Sequence, residues 1–193
     1  MKKIITNLTV VVFIAFLTFS FTSLLDGKKF IKTEKSKITW KGYKVTGSHE
    51  GTIKIKQGSL TFKNNKLVGG SFLIDMTSIT NTDLTNAGYK SKLEGHLKSD
   101  DFFGVVKHPQ ATLIFTKVKS NGKNAYKIKG DLTIKGNTHA ITFTMSVYGN
   151  KANASLKIDR TKYNVRYGSN SFFDGLKDKA IYDEFDLVVD LEF

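Results

Sequence analysis

From residue 36 onward the chain alternates apolar and polar positions in short runs. GTIKIKQG sets Ile53 and Ile55 against Lys54 and Lys56, and ATLIF sets Leu113 and Phe115 on one side. AYKIKGDLTIKG places Tyr126, Ile128, Leu132 and Ile134 on one face, and HAITFTMSVYG does the same for Ile141, Phe143, Met145 and Val147. KANASLKID and EFDLVVDLEF repeat the pattern through Ala152, Ala154, Leu156 and Ile158, and through Phe185, Leu187, Val189, Leu191 and Phe193. A period of two with one apolar face is the signature of a half-buried antiparallel strand. The runs are separated by Lys63-Asn64-Asn65-Lys66, Ser120-Asn121-Gly122-Lys123, Lys135-Gly136-Asn137-Thr138 and Gly149-Asn150. Asn and Gly in these positions accept the positive φ of tight hairpin turns.

One stretch breaks the period. Around residues 88–98, Leu93 and Leu97 stand four apart among Lys, Glu and Ser, which predicts a single short helix. Eight or nine strands with one helical interruption must hide both their edges and one apolar face, and closing the sheet into a barrel does both. The expected fold is therefore all-β: a single antiparallel eight- to nine-stranded lipocalin-like barrel over residues 30–193. Such a barrel is either filled by side chains or holds one small ligand. Mid-strand Gly69, Gly70 and Gly130, with Ala152 and Ala154, either leave internal room or mark the bends that close the barrel.

The first 23 residues differ. Lys2 and Lys3 precede an apolar run from Val10 to Leu17, the layout of a secretory signal peptide. The run falls short of the roughly 20 apolar residues of a membrane span. A signal peptide with an open cut site is expected, the alternative being an uncleaved anchor, and the destination is periplasmic or secreted. The absence of cysteine removes thiol nucleophiles, cysteine-based zinc sites and disulfides. A formal net charge of +13 draws the chain toward anionic partners, among them a transient contact with a membrane surface. All the basic residues but Arg160 and Arg166 are lysines, which argues against nucleic acid, whose recognition leans on arginine forks. The oligomeric state, a homodimer included, stays open.

Catalytic chemistry finds little support. There is no nucleophile elbow or phosphate-binding loop, and His49, His96, His108 and His139 lack ligand spacing, so neither a catalytic nor a metal site is expected. HLKSDDFFGVVKHPQATLIFT pairs Asp100 and Asp101 with two histidines, but adjacent carboxylates in an extended chain diverge rather than converge. The segment reads instead as a helix-to-strand junction sealed by Phe102 and Phe103. Arg160 and Arg166, beside Tyr163 and Tyr167, are candidates for gripping an anionic headgroup at a barrel mouth; the alternative is a structural pair with an acid on a neighbouring strand.

Ser36–Trp40 (SKITW), His49 and Gly51, DMTSIT at 75–80, HLKSDDFF with His108-Pro109, GDLTIKGNT at 130–138 and Arg160 of IDRT together resemble the YceI-like, or polyisoprenoid-binding, family of secreted bacterial proteins. The resemblance implies a lipocalin-type barrel with an elongated apolar cavity, no enzymatic activity, no cofactor, and an amphipathic ligand such as an isoprenoid quinone or polyprenyl lipid. Where the family commonly carries an acid-Phe-Gly run after the arginine, this chain has Thr161-Lys162-Tyr163-Asn164, so its headgroup chemistry is expected to differ. The inward-facing candidates for the cavity lining are Trp40, Phe72, Ile74, Leu113, Phe115, Ile128, Leu132, Ile134, Ile141, Phe143, Met145, Leu156 and Ile158. A basic mouth for an anionic head completes the expectation. The competing reading is a filled barrel whose basic exterior engages an acidic polymer or a partner protein.

Overall fold

A computed structural model describes residues 26–193; the expected signal peptide lies outside them. Among these residues nine strands and one α-helix follow in order: β1 (Gly27–Phe30), β2 (Lys37–Lys44), β3 (Gly47–Lys63), β4 (Lys66–Asn81), α1 (Ala87–Lys98), β5 (Gln110–Ser120), β6 (Ala125–Ile134), β7 (Asn137–Tyr148), β8 (Lys151–Asp159) and β9 (Ile181–Glu192). Every pairing is antiparallel, and β3 pairs with β4 to close β2–β9 into an eight-stranded barrel. β1 extends the same edge of β3 beyond β2, with Gly27 opposite Phe62. Among the described residues no helix is long and apolar enough to cross a membrane.

The turn chemistry does what its residue types allow. Asn64 and Asn65 sit at φ 51° and 60°, and Lys135 and Gly136 at 49° and 75°, each pair making a two-residue hairpin. The helix begins where the Asn86 side chain accepts from Tyr89 N at 3.0 Å. It docks through buried Leu97 and through Glu94, whose carboxylate accepts from Thr80 Oγ1 (2.5 Å) and from Asn81 N (2.8 Å). Those bonds, the Thr80 hydroxyl foremost, hold Glu94 below the usual carboxylate range.

The interior divides along the barrel axis. Toward the end carrying β1, Leu60, Phe62, Phe72, Ile128, Phe143 and Met145 form one packed cluster. Gly70 has no spare room: a Cβ there would lie 2.7 Å from the Phe115 ring, which fills the space the glycine leaves. Toward the helix end, Trp40, Met76, Ile79, Leu97, Phe102, Phe103 and Val105 form a second cluster. Phe102 and Phe103 are buried there edge to face, 5.0 Å apart, and seal the junction after the helix. Asp100 points outward to Lys107 at 2.6 Å. The Lys135 ammonium closes the same turn by donating to the Asp100 and Phe102 carbonyls, 2.7 Å each.

Candidate functional site

A cavity of about 140 Å³ lies within the second cluster. Its wall is built by Ile38, Trp40, Gly42 and Tyr43 of β2, Ile53 of β3, and Ile74, Met76 and Ile79 of β4. Leu97, Phe102, Phe103, Ala111, Leu132 and Ile134 close the helix side, while Ile181, Tyr182, Phe185 and Leu187 of β9 and the Arg160 side chain complete it. Met76 and Ile79 stand three apart, yet both point inward. β4 bulges between them, where the Asp75 carboxylate accepts from Thr77 N (3.0 Å) and Ser78 Oγ replaces a strand partner by accepting from Lys54 N at 2.8 Å. Trp40 lies flat against β3 because Gly51 faces it in register; a Cβ at Gly51 would come within 2.6 Å of the indole.

The wall has a weak seam. β2 and β9 pair regularly from Lys37–Asp190 to Gly42–Phe185, and resume at Lys44–Ile181. Tyr43 alone thus opposes Tyr182, Asp183 and Glu184, and the ladder is open across them. Arg160 takes the place of the missing ladder bonds. Its side chain is only 2% exposed, and it donates from Nε to Tyr182 O (3.1 Å), from Nη2 to Ile181 O (3.0 Å) and from Nη1 to Val165 O (2.7 Å). Asp183 stands 3.6 Å from Nη2. Burial lowers the guanidinium's pKa, but an arginine remains charged in proteins. The arginine is therefore a structural clamp that holds a bulged strand at the cavity wall.

Outside the seam runs a polar groove of about 330 Å³ that shares Tyr43, Ile181 and Tyr182 with the cavity and adds Lys157, Asn170, Asp183 and Glu184. Its one lysine is already balanced: Lys157 lies 3.2 Å from Asp186 and 3.7 Å from Glu184. The Tyr43 hydroxyl also donates to Asp186 at 2.7 Å, which with the Lys157 charge holds that carboxyl below its usual range. The bond to Asp186 raises Lys157. The mouth at this seam is thus not the basic one expected from the sequence.

Of the expected lining residues, Trp40, Ile74, Leu132 and Ile134 face the cavity. Leu113, Ile141 and Leu156 are half-buried between the two clusters, and Ile158 is buried in the second cluster without lining the cavity. Phe72, Phe115, Ile128, Phe143 and Met145 belong to the packed end. The four headgroup candidates are not gathered into one cradle. Arg160 is spent on carbonyls, Arg166 is exposed with its guanidinium 4.5 Å above the Phe172 ring, and Tyr167 is exposed against His96. Tyr163 is 1% exposed in the second cluster. Four buried side-chain atoms have no hydrogen-bond partner among the described residues: Trp40 Nε1 in the cavity wall, the Tyr163 hydroxyl, His96 Nε2 and Asp183 Oδ1. Among the described residues no three His, Cys, Asp or Glu side chains are grouped to hold a metal ion.

Tyr163 gives a pH prediction. Burial, with Asp159 nearby, pushes its phenol up to about 12 from an ordinary 10.0. A raised folded value means stability is intact below pH 10 and drains away as pH climbs toward 12, by about 2–3 kcal/mol. Tyr163→Phe removes an unsatisfied hydroxyl and should be neutral or stabilising by about 1 kcal/mol at pH 8. It should also flatten the alkaline loss, as read by urea midpoints across that range; an unchanged alkaline profile would refute the assignment.

Comparison with known proteins adds the family. Residues 30–193 match the family described as the YceI-like domain. Protein YceI of Escherichia coli is 37% identical over 101 residues, which cover 51% of this chain and 49% of that protein, so the chain spans about half the length of this curated relative. BcnA of Burkholderia cenocepacia shares the fold at TM-score 0.66 and 24% identity, over 83% of this chain and 98% of that one. A polyisoprenoid-binding domain of Saccharophagus degradans, implicated in plant cell wall breakdown, shares it at TM-score 0.60 and 12% identity, over 87% and 97% of the two chains.

Proposed function

We propose, for a chain that belongs to the YceI-like family, that the barrel is a non-enzymatic binder of an amphipathic isoprenoid lipid with an uncharged, oxygen-bearing head of quinone type, working in the periplasm or outside the cell. The observation that carries the reading is an apolar cavity that shares Tyr43, Ile181 and Tyr182, at an open strand seam, with a groove lined by charged side chains. An apolar tail gains about 0.8 kcal/mol for each CH₂ it buries. The family likeness and the polyisoprenoid-binding neighbour support the same class of ligand.

The head is argued from charge. A phosphate in the groove would compete with Asp186 and Glu184 for Lys157, whereas a carbonyl or hydroxyl oxygen needs no counter-ion. Inside the cavity the unmatched polar group of the wall is the Trp40 indole N–H, which also suits a neutral acceptor. Volume limits the tail. Pockets for drug-sized ligands run from about 300 to 1,000 Å³, so a cavity of about 140 Å³ takes the first isoprene units only. A longer tail must displace packing at the helix end or press into the Phe72, Phe115 and Phe143 cluster.

Trp40 is the single tryptophan and lies in the cavity wall, so its emission reports on occupancy. Quenching by a short-tailed benzoquinone is expected, and farnesol should compete roughly tenfold better than farnesyl phosphate. Glu184→Lys, on an exposed side chain, should close most of that gap without weakening farnesol. No quenching at saturating quinone would remove the binding reading, and a wild-type preference for the phosphate would remove the uncharged head.

A further inference from the structure

The seam is ringed by exposed apolar side chains from two segments. Val45 comes from the β2–β3 turn, and Tyr167, Phe172 and Phe173 come from the connection 165–180, with Tyr182 at the start of β9. This connection is built rather than loose. Val165, Ser169 and Ala180 are buried in it. The Ser169 carbonyl accepts from Phe172 N (3.1 Å) and Phe173 N (3.0 Å), its hydroxyl accepts from Ser171 N (3.1 Å), and Ser171 Oγ donates to Asp183 at 2.5 Å. Val45 N donates to Ala180 O at 3.2 Å and ties the two tips together. Phe172 and Phe173 are thereby held 44% and 50% exposed on a pinned turn.

The groove at the seam is not basic, but the connection and the turn facing it lean positive. Arg166 stacks on Phe172, and Lys44, Lys177 and Lys179 are exposed beside it, against Asp174 and Asp178. The acids of the neighbouring groove are engaged with Tyr43, Lys157 and Arg160. Aromatic side chains partition to the headgroup level of a bilayer, and lysines beside them are drawn to anionic leaflets. A basic rim around outward phenylalanines fits a lipid surface better than an apolar protein groove, which would leave the lysines uncompensated.

We propose that this face, carried by Phe172 and Phe173, docks reversibly on an anionic phospholipid surface and so brings the seam to the bilayer. The proposal rests on the reading of the cavity above for the use of the docking, since a tail passing from bilayer to cavity then avoids water.

The chain contains no cysteine, so a single introduced thiol labels one place. Phe173→Cys carrying an environment-sensitive nitrobenzoxadiazole dye reports on this face in the full chain. Tyr148→Cys, at the exposed end of β7, reports on the far end of the barrel. On phosphatidylcholine vesicles containing phosphatidylglycerol, the dye at 173 should shift to the blue and the dye at 148 should not. Lys177→Glu with Lys179→Glu should weaken that response at least tenfold. Silence at 173, or equal responses at both positions, overturns the proposal. A blue shift at 173 that grows with protein concentration in the absence of vesicles also overturns it, because a second copy then covers the face. Quinone quenching of Trp40 with a silent label at 173 removes the docking and leaves the cavity reading standing. A vesicle response without quenching does the reverse.

Discussion

Replacing Arg160 by alanine is expected to lower the stability of the barrel by about 3 kcal/mol. The guanidinium is buried and satisfies three carbonyls, two of them, Ile181 O and Tyr182 O, on the strand where the β2–β9 ladder is open. Without it Tyr182 O, in the stretch that Tyr43 alone faces, and Ile181 O, at the edge of that stretch opposite Lys44, lose their donor. For a domain of this length, about 3 kcal/mol corresponds to a fall of roughly 6–12 °C in Tm. Lysine in the same place offers a point charge where a planar fork is used, so Arg160→Lys should recover less than half of the loss. Hydrogen exchange should rise first in residues 165–184. A variant within about 1 kcal/mol of the parent would mean that the clamp carries little load.

Ala111→Leu is expected to stop ligand uptake while leaving the fold intact. Ala111 is buried, faces the cavity, and sits at the start of β5 opposite Ile74. Leucine adds three carbons to the space that a tail would use. In a real void those carbons gain contacts, and stability should rise by about 1 kcal/mol. In a packed interior the same change costs about 1–3 kcal/mol. The paired readout is therefore decisive: quinone quenching of Trp40 reduced at least tenfold, with the urea midpoint unchanged or raised. Undiminished quenching, or a clear loss of stability, would contradict the cavity as drawn.

Much of the fold is legible in the sequence, because strand alternation and hairpin turns are local. HAITFTMSVYG and AYKIKGDLTIKG dictate which face is buried, and Asn64-Asn65 and Lys135-Gly136 dictate where the chain reverses. Leu93 and Leu97 likewise mark the helix, observed at Ala87–Lys98. Depth along the barrel is a different matter. Alternation says that Phe115 and Leu132 both point inward, but not that one end is filled by Phe62, Phe72, Phe115 and Phe143 while the other keeps a void. Met76 and Ile79 escape a period-two reading because the Asp75 bulge resets the strand between them. A signal was present in DMTSIT, whose Asp, Thr and Ser are the side chains that satisfy a bulge.

The arginine pair shows the same limit. Six residues separate Arg160 from Arg166, yet a 3₁₀ turn at Arg160–Tyr163 leaves the first buried and the second in solvent. The structural alternative weighed for Arg160, a pairing with an acid, is met in part by Asp183, but backbone carbonyls take most of its donors. No spacing rule anticipates that, since two of the three carbonyls, Ile181 O and Tyr182 O, lie at a bulge formed only when β9 closes the barrel. The balanced charges of the groove are equally distant in sequence: Tyr43, Lys157 and Asp186 come from three strands.

Whether the cavity at the helix end holds an isoprenoid tail with an uncharged head is decided by native mass spectrometry of the full chain purified from its own cells, followed by organic extraction. One lipid per chain is expected, an isoprenoid with a quinone or alcohol head, displaced when Ala111 is replaced by leucine. A chain that carries no lipid and takes up neither quinone nor polyprenol when they are supplied would contradict that reading.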